Sequence, residues 1–227
     1  MKILAIETAT EACSAALLIG DEVIDRFQIA PREHGNLILP MLDELLAEAG
    51  LNLQQLDALA FGRGPGSFTG VRMATGVIQG LAYGADLPVA PISTLAALAQ
   101  QAVAANEGKT IYAALDARMG EVYWCEYVVR HAVLQQVSDE VVMAPNKIHA
   151  EHGKMAVGIG HGWRTYAEEL SQLVKADELF ILPDALPAAK EVAFLAKEAV
   201  RNGRTVAAES AQPVYLRDNV AKKKAQQ

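Results

Sequence analysis

The chain has 227 residues, of which 52% are apolar, 21% charged and 6% aromatic. That composition excludes intrinsic disorder and supplies a core for one large packed unit or two small ones. A formal net charge of −7 argues against a protein that grips nucleic acid with its overall field. Cys13 and Cys125 lie too far apart to imply a disulfide framework or zinc knuckle, and read as buried apolar side chains in a reducing compartment.

The opening run MKILAIETAT meets Glu7 and predicts no signal peptide. The uncharged stretch 87–106 has the length of a membrane span, but Pro88, Pro91, Ser93, Thr94, Gln100 and Gln101 interrupt it. A buried strand followed by an Ala-rich helix is the expectation there, in a soluble cytoplasmic protein.

In chain order, 2–6, 13–19 and 23–30 read as a three-strand meander with a hairpin turn at Gly20-Asp21 and an acid, Glu7, after the first strand. Apolar residues at 38, 42, 45, 46 and 49 predict a helix over 36–49, with Pro40 in or near its first turn and Gly50 as its stop. A strand at 56–61, a glycine-rich loop at 62–70, a helix over 71–83 and a strand at 87–91 follow. Ser93 then caps a helix through 105. Around 106–109 the pattern restarts: a strand at 110–115 ending in Asp116, then strands at 121–129 and 133–142. Next come a strand at 157–160, a helix at 165–174 and a helix at 188–202 closed by Gly203. Lys222, Lys223 and Lys224 read as a solvated tail.

Two tandem strand-meander-plus-helix halves, each with an acid after its first strand, are the layout of the actin-like ATPase superfold, an α/β class built from two ribonuclease-H-like halves. The expected division is 1–106 and 107–227. In that superfold two turns face each other across a cleft and hold ATP phosphates, and they need glycine for close backbone approach. Here the first turn is Glu7-Thr8-Ala9-Thr10 and the second Asp116-Ala117-Arg118-Met119-Gly120. The Cβ atoms and the Arg118 side chain crowd a triphosphate, so independent ATP hydrolysis or sugar phosphorylation is not expected.

The loop Gly62-Arg63-Gly64-Pro65-Gly66-Ser67-Phe68-Thr69-Gly70 joins a strand to a helix, where backbone N–H groups can cradle an anion. Its spacing is not that of a Walker loop, Asp86 stands on the wrong side of the next strand for a dinucleotide fold, and Ser67 is not in a G-x-S-x-G elbow. Glu7, Thr8, Thr10, Gly64, Gly66, Ser67 and Thr69 are therefore weak anion or nucleotide candidates, with a tightly packed structural turn as the alternative. Of five histidines only His149-x-x-His152 has ligand spacing, and no cysteine completes a set, so no metal site is expected.

Gly76, Gly80 and Gly84 repeat at four-residue intervals along the helix after the loop. Each mid-helix glycine costs about 0.8–1 kcal/mol relative to alanine, a cost usually offset by a close backbone approach. The partner is either the chain's own sheet or a helix of another subunit.

The glycine loop through Val71-Arg72 resembles the TsaB (YeaZ) family, as do ILAIETATEA at 3–12, Pro31-Arg32-Glu33-His34, DARMGEVY at 116–123 and Pro213-Val214-Tyr215-Leu216-Arg217. TsaB proteins are the non-catalytic relatives of TsaD in bacterial synthesis of N6-threonylcarbamoyladenosine (t6A) in tRNA. The resemblance implies an actin-like fold without a catalytic centre. The TsaD metal-binding His-x-x-x-His pair falls here on Thr94 and Leu98, neither of them such a ligand. It also implies a heterodimer with TsaD, joined by TsaE, and a homodimer of the isolated chain through the same helices. Leu37, Met41 and Leu45 on 36–49, with Met73, Gly76, Val77 and Gly80 on 70–84, are the expected contact residues. ATP and metal belong to the partner subunits, no cofactor is expected on this chain alone, and tRNA is met only through the complex. A stand-alone actin-like small-molecule kinase or ATPase is the alternative function, and a peptidase a more remote one.

Overall fold

A computed structural model describes residues 1–150 and 155–217; His152 and the lysines at 222–224 lie outside the described residues. The chain opens with β1 (Lys2–Glu7), β2 (Ala12–Ile19) and β3 (Glu22–Ile29), the last two joined at Gly20, whose φ is +67°. α1 (His34–Ala49), β4 (Ala58–Gly62), α2 (Phe68–Ala85), β5 (Val89–Ile92) and α3 (Thr94–Gln100) complete the first half. The second half runs β6 (Thr110–Arg118), β7 (Glu121–Arg130), β8 (Val133–Gln136), β9 (Val141–Met143), β10 (Met155–Ile159), α4 (His161–Thr165), α5 (Ala167–Val174), β11 (Glu178–Leu182) and α6 (Ala189–Arg201).

The first sheet has the order β3-β2-β1-β4-β5, with β2 antiparallel to β1 and β3, and β4 and β5 parallel to β1. The second, read from β8, has the order β8-β7-β6-β10-β11 with the same strand senses, β9 pairing with another stretch of β7. The repeat of strand, acid and meander in the sequence is thus a repeat of topology. This is the two-lobed α/β fold of the actin-like ATPase group.

Both faces of β1 are covered, which is why its apolar run is continuous. Leu4 and Ile6 face α1 and α2, packing with Ile38, Leu45 and Ile78, while Ile3 and Ala5 face α6, packing with Val192 and Ala196. On the second sheet Ile111 and Ala113 meet Leu95 and Leu98 of α3, and Tyr112 meets Trp124 and Trp163 on the far face. α3 and α6 touch each other, so they form the layer between the sheets. Arg63, just after β4, spans the lobes to reach Glu140, 3.3 Å away.

Several element bounds differ from the sequence expectation for tertiary reasons. α1 begins at His34 rather than 36 because the His34 imidazole is buried, its Nε2–H shared by the carbonyls of Thr10 (2.9 Å) and Ala12 (3.1 Å). Pro40 consequently sits well inside the helix, beyond the first turn where a missing N–H is free of cost. The strand expected over 133–142 is two, because the Ser138 hydroxyl accepts the Glu126 N–H (2.9 Å) where a strand carbonyl would have stood. The helix expected through 105 stops at Gln100, and a 3-10 turn over Val103–Ala105 follows. The helix expected over 165–174 is broken at Tyr166 into α4 and α5. β11 was not anticipated; it is a short edge strand that leaves Phe180 65% exposed. The division at 106/107 separates the strands of the two sheets, but α6 returns from the second half to cover the first sheet.

Candidate functional site

The glycine loop is moulded against the first acid-bearing turn. A Cβ on Gly62 would lie 1.8 Å from Glu7 Oε2, one on Gly66 2.6 Å from the Ala9 carbonyl, and one on Gly70 2.0 Å from the Thr8 carbonyl. The Ser67 N–H donates to the Ala9 carbonyl (2.7 Å), and the Thr8 hydroxyl to the Gly70 carbonyl (2.8 Å). Close packing therefore accounts for Gly62, Gly66 and Gly70, while Gly64 has a φ of +97°.

Glu7 does not face the cleft. It is fully buried, with Oε1 accepting the Ala9 N–H (2.6 Å) and Oε2 the Thr94 hydroxyl (3.0 Å). Burial pushes its carboxyl from 4.5 up to about 7, against the smaller opposing pull of those hydrogen bonds. In the second turn Asp116 Oδ1 accepts the Arg118 N–H (2.8 Å), and the Asp116 N–H donates to His161 Nδ1 (3.0 Å). Burial holds that imidazole below its ordinary range, in keeping with a ring nitrogen that accepts. Arg118 and Met119 both have positive φ, at +63° and +58°, and Arg118 lines the cleft. With both oxygens of Glu7 engaged and Asp116 braced by its own turn, the residues present do not fit a metal–triphosphate. Among the described residues no group of three His, Cys, Asp or Glu side chains could hold a metal ion.

A cleft of about 1050 Å³ lies between the lobes. Of the anion candidates, Thr10, Gly66, Ser67 and Thr69 line it; Glu7, Thr8 and Gly64 do not. Ser67 caps α2, its hydroxyl accepting the Gly70 N–H at 3.4 Å. The segment 213–217 runs along the wall: the Val214 N–H donates to the Arg63 carbonyl (2.8 Å), Arg72 Nε to the Tyr215 hydroxyl (2.7 Å), and Arg217 pairs with Glu121.

The helix residues expected at a partner contact divide in two. Leu45 is fully buried and Met41 is 7% exposed, both in the core between α1 and the first sheet, so neither side chain reaches a partner. They belong to the stripe that holds α1 down. Leu37, Met73 and Val77 are half-buried, and Gly76 and Gly80 exposed. A Cβ on Gly76, Gly80 or Gly84 would meet nothing within 4 Å, so the chain's own sheet is not what the glycines accommodate. Tyr83, 84% exposed, joins them on the uncovered side of α2 and was missed in the sequence.

A family profile described as TsaD, tRNA N6-adenosine threonylcarbamoyltransferase, matches residues 27–225. The tRNA threonylcarbamoyladenosine biosynthesis protein TsaB of Escherichia coli (strain K12) is 45% identical over 99% of this chain and 98% of its own. The protein of the same name from Haemophilus influenzae is 42% identical over 99% and 97%. The chain belongs to the TsaB family. The solved structure of YeaZ from Pseudomonas aeruginosa, 42% identical, has a TM-score of 0.87 and covers 95% of this chain and 99% of that one.

For this TsaB-family chain the sequence pointed to the glycine loop and to Arg118, but not to the other arginines around the cleft. Arg32, Arg72, Arg118 and Arg217 all fall within the short segments that resemble the family, yet those segments lie far apart in the chain, and only the fold brings them to one cleft. Among the described residues no helix is long and apolar enough to cross a membrane.

Proposed function

We propose that this chain is a non-catalytic subunit required for t6A formation in tRNA. It pairs with TsaD, with TsaE joining the pair, and supports transfer of threonylcarbamoyl from threonylcarbamoyl-AMP to the adenosine on the 3′ side of the anticodon. ATP and metal are held by the partner subunits, and the complex works in the cytoplasm. The observation that carries this reading is the contrast between the two surfaces. At the interlobe cleft Glu7 is turned inward and Asp116 is braced by its own turn, whereas the glycine stripe of α2 stays uncovered and open to a close-packed helix. The names of the relatives supply the pathway.

Without TsaD the same face serves for a homodimer. Nucleoside mass spectrometry of bulk tRNA after depletion of the protein tests the reading. Loss of t6A, restored by re-expression, is expected; an unchanged level after complete depletion overturns it. Met73→Glu or Gly80→Glu is expected to abolish pairing with TsaD in a co-purification while leaving the monomer folded.

A further inference from the structure

Five of the chain's ten arginines line the interlobe cleft, and only two carboxylates, Glu11 and Asp116, stand among its lining residues. In a chain of net charge −7 this is a local reversal of sign. No lysine lines the cleft, so its cationic groups are all planar, forked donors suited to phosphate oxygens. Arg118, Arg164 and Arg217 are engaged by Asp116, Asp184 and Glu121, whereas Arg32 and Arg72 meet no carboxylate among the described residues.

Arg72 is also part of an aromatic cluster. Its guanidinium lies 3.6 Å from the centroid of the Phe68 ring and 5.5 Å from that of Tyr215, and the two rings are 5.7 Å apart. Arg72 covers one face of Phe68, but Phe68 is still 51% and Tyr215 43% exposed, and both line the cationic cleft. Exposed aromatic faces beside arginine are the combination that binds unpaired bases and their phosphates. We propose that this rim binds a single-stranded segment of RNA, a base stacking on Phe68 or Tyr215 while Arg72 and Arg32 meet the flanking phosphates. A free nucleoside triphosphate is disfavoured because both Glu7 oxygens are engaged and Asp116 accepts from its own turn, which leaves the two acid-bearing turns unsuited to a metal–triphosphate. The choice of RNA over DNA rests on the t6A reading; the stacking rim does not.

The test is fluorescence anisotropy of a labelled twelve-nucleotide single-stranded RNA titrated with the full chain, beside a base-paired hairpin stem and ATP. The chain's net charge keeps binding weak, with Kd roughly 10–100 micromolar at 50 mM salt, and with about three phosphates engaged it weakens on the order of 20-fold by 200 mM. Tyr215→Ala and Phe68→Ala are each expected to weaken it about ten-fold. Arg72→Ala and Arg32→Ala weaken it similarly, while Arg204→Ala, exposed and away from the cleft, leaves it unchanged. Thermal melts confirm that each variant folds, and Arg72→Lys, which keeps the charge but not the planar guanidinium over the Phe68 ring, is expected to restore only part of the affinity.

No binding at 50 mM salt, equal binding of the hairpin stem, full displacement by ATP, or unchanged affinity in the Arg72 and Arg32 variants each overturns the proposal. So does a variant set that loses TsaD pairing while retaining RNA affinity, which makes the rim a protein contact. Loss of t6A on depletion with no RNA binding refutes this inference and leaves the subunit role standing; binding with undiminished t6A does the reverse.

Discussion

Replacing Glu7 by glutamine isolates the energetic consequence of turning the first-turn acid inward. The folded carboxyl titrates near 7 and the unfolded one near 4.5. Below pH 4.5 both states carry the proton and the site contributes no pH dependence. Between 4.5 and about 7 the unfolded chain loses its proton while the folded chain keeps it, so stability falls as pH rises; above 7 both are ionised and the loss is complete. A shift of this size corresponds to a total on the order of 3 kcal/mol. Glutamine keeps the shape, with its oxygen accepting from the Ala9 N–H and its amide donating to the Thr94 hydroxyl, and it carries no charge to bury. Urea unfolding of both proteins at pH 5, 6, 7 and 8 gives the check. The stability of Glu7→Gln relative to the parent is expected to rise by about 2–3 kcal/mol from pH 5 to pH 8. A difference that stays flat across that range would refute the burial argument, because other titrating groups cancel between the two proteins.

Gly70→Ala places a Cβ 2.0 Å from the Thr8 carbonyl. It is expected to destabilise the chain by about 1–3 kcal/mol or more, and an unchanged melting temperature would contradict the close approach. Gly76→Ala and Gly80→Ala meet open space, so each should stabilise the isolated chain by up to about 1 kcal/mol while weakening TsaD pairing in a pull-down. Gain without loss of pairing would remove the interface role of the stripe. Ser93→Ala removes the hydroxyl that accepts the Ala96 N–H at the start of α3 and should cost about 1 kcal/mol in a denaturant titration. Burial pushes the thiols of Cys13 and Cys125 up to about 11, so neither should react with a disulfide reagent at pH 8 until the chain is unfolded.

The placement of β1, β4 and β6 was legible because they are buried on both faces and leave short apolar runs that end at an acid or a glycine; that of β11, at a sheet edge, was not. The duplicated topology was legible for the same reason, although the halves share almost no residue identity. Helix ends were not, since His34 begins α1 through carbonyls of the β1–β2 turn, a contact between residues more than twenty apart. At the site, the glycines could be found but not their cause. An anion cradle and a packed turn demand the same residue, and only the proximity of Thr8 and Ala9 separates them. Leu45 fell among the expected partner contacts although its spacing is equally that of the core-facing stripe. The cleft's arginines come from segments scattered between 32 and 217, and no periodicity connects them.

The return of α6 to the first sheet has a consequence for synthesis. Ile3, Ala5, Leu18 and Ala60 are sealed by Val192, Ala193 and Ala196, whose codons are translated long after theirs. As the chain emerges from the ribosome, the first sheet can close against α1 and α2 but presents its other face bare until α6 has appeared. Such late-sealed apolar surface makes a nascent chain dependent on chaperone cover and prone to misassembly. A fragment ending at residue 106 would keep that face permanently open, because the helix that covers it belongs to the second half of the chain.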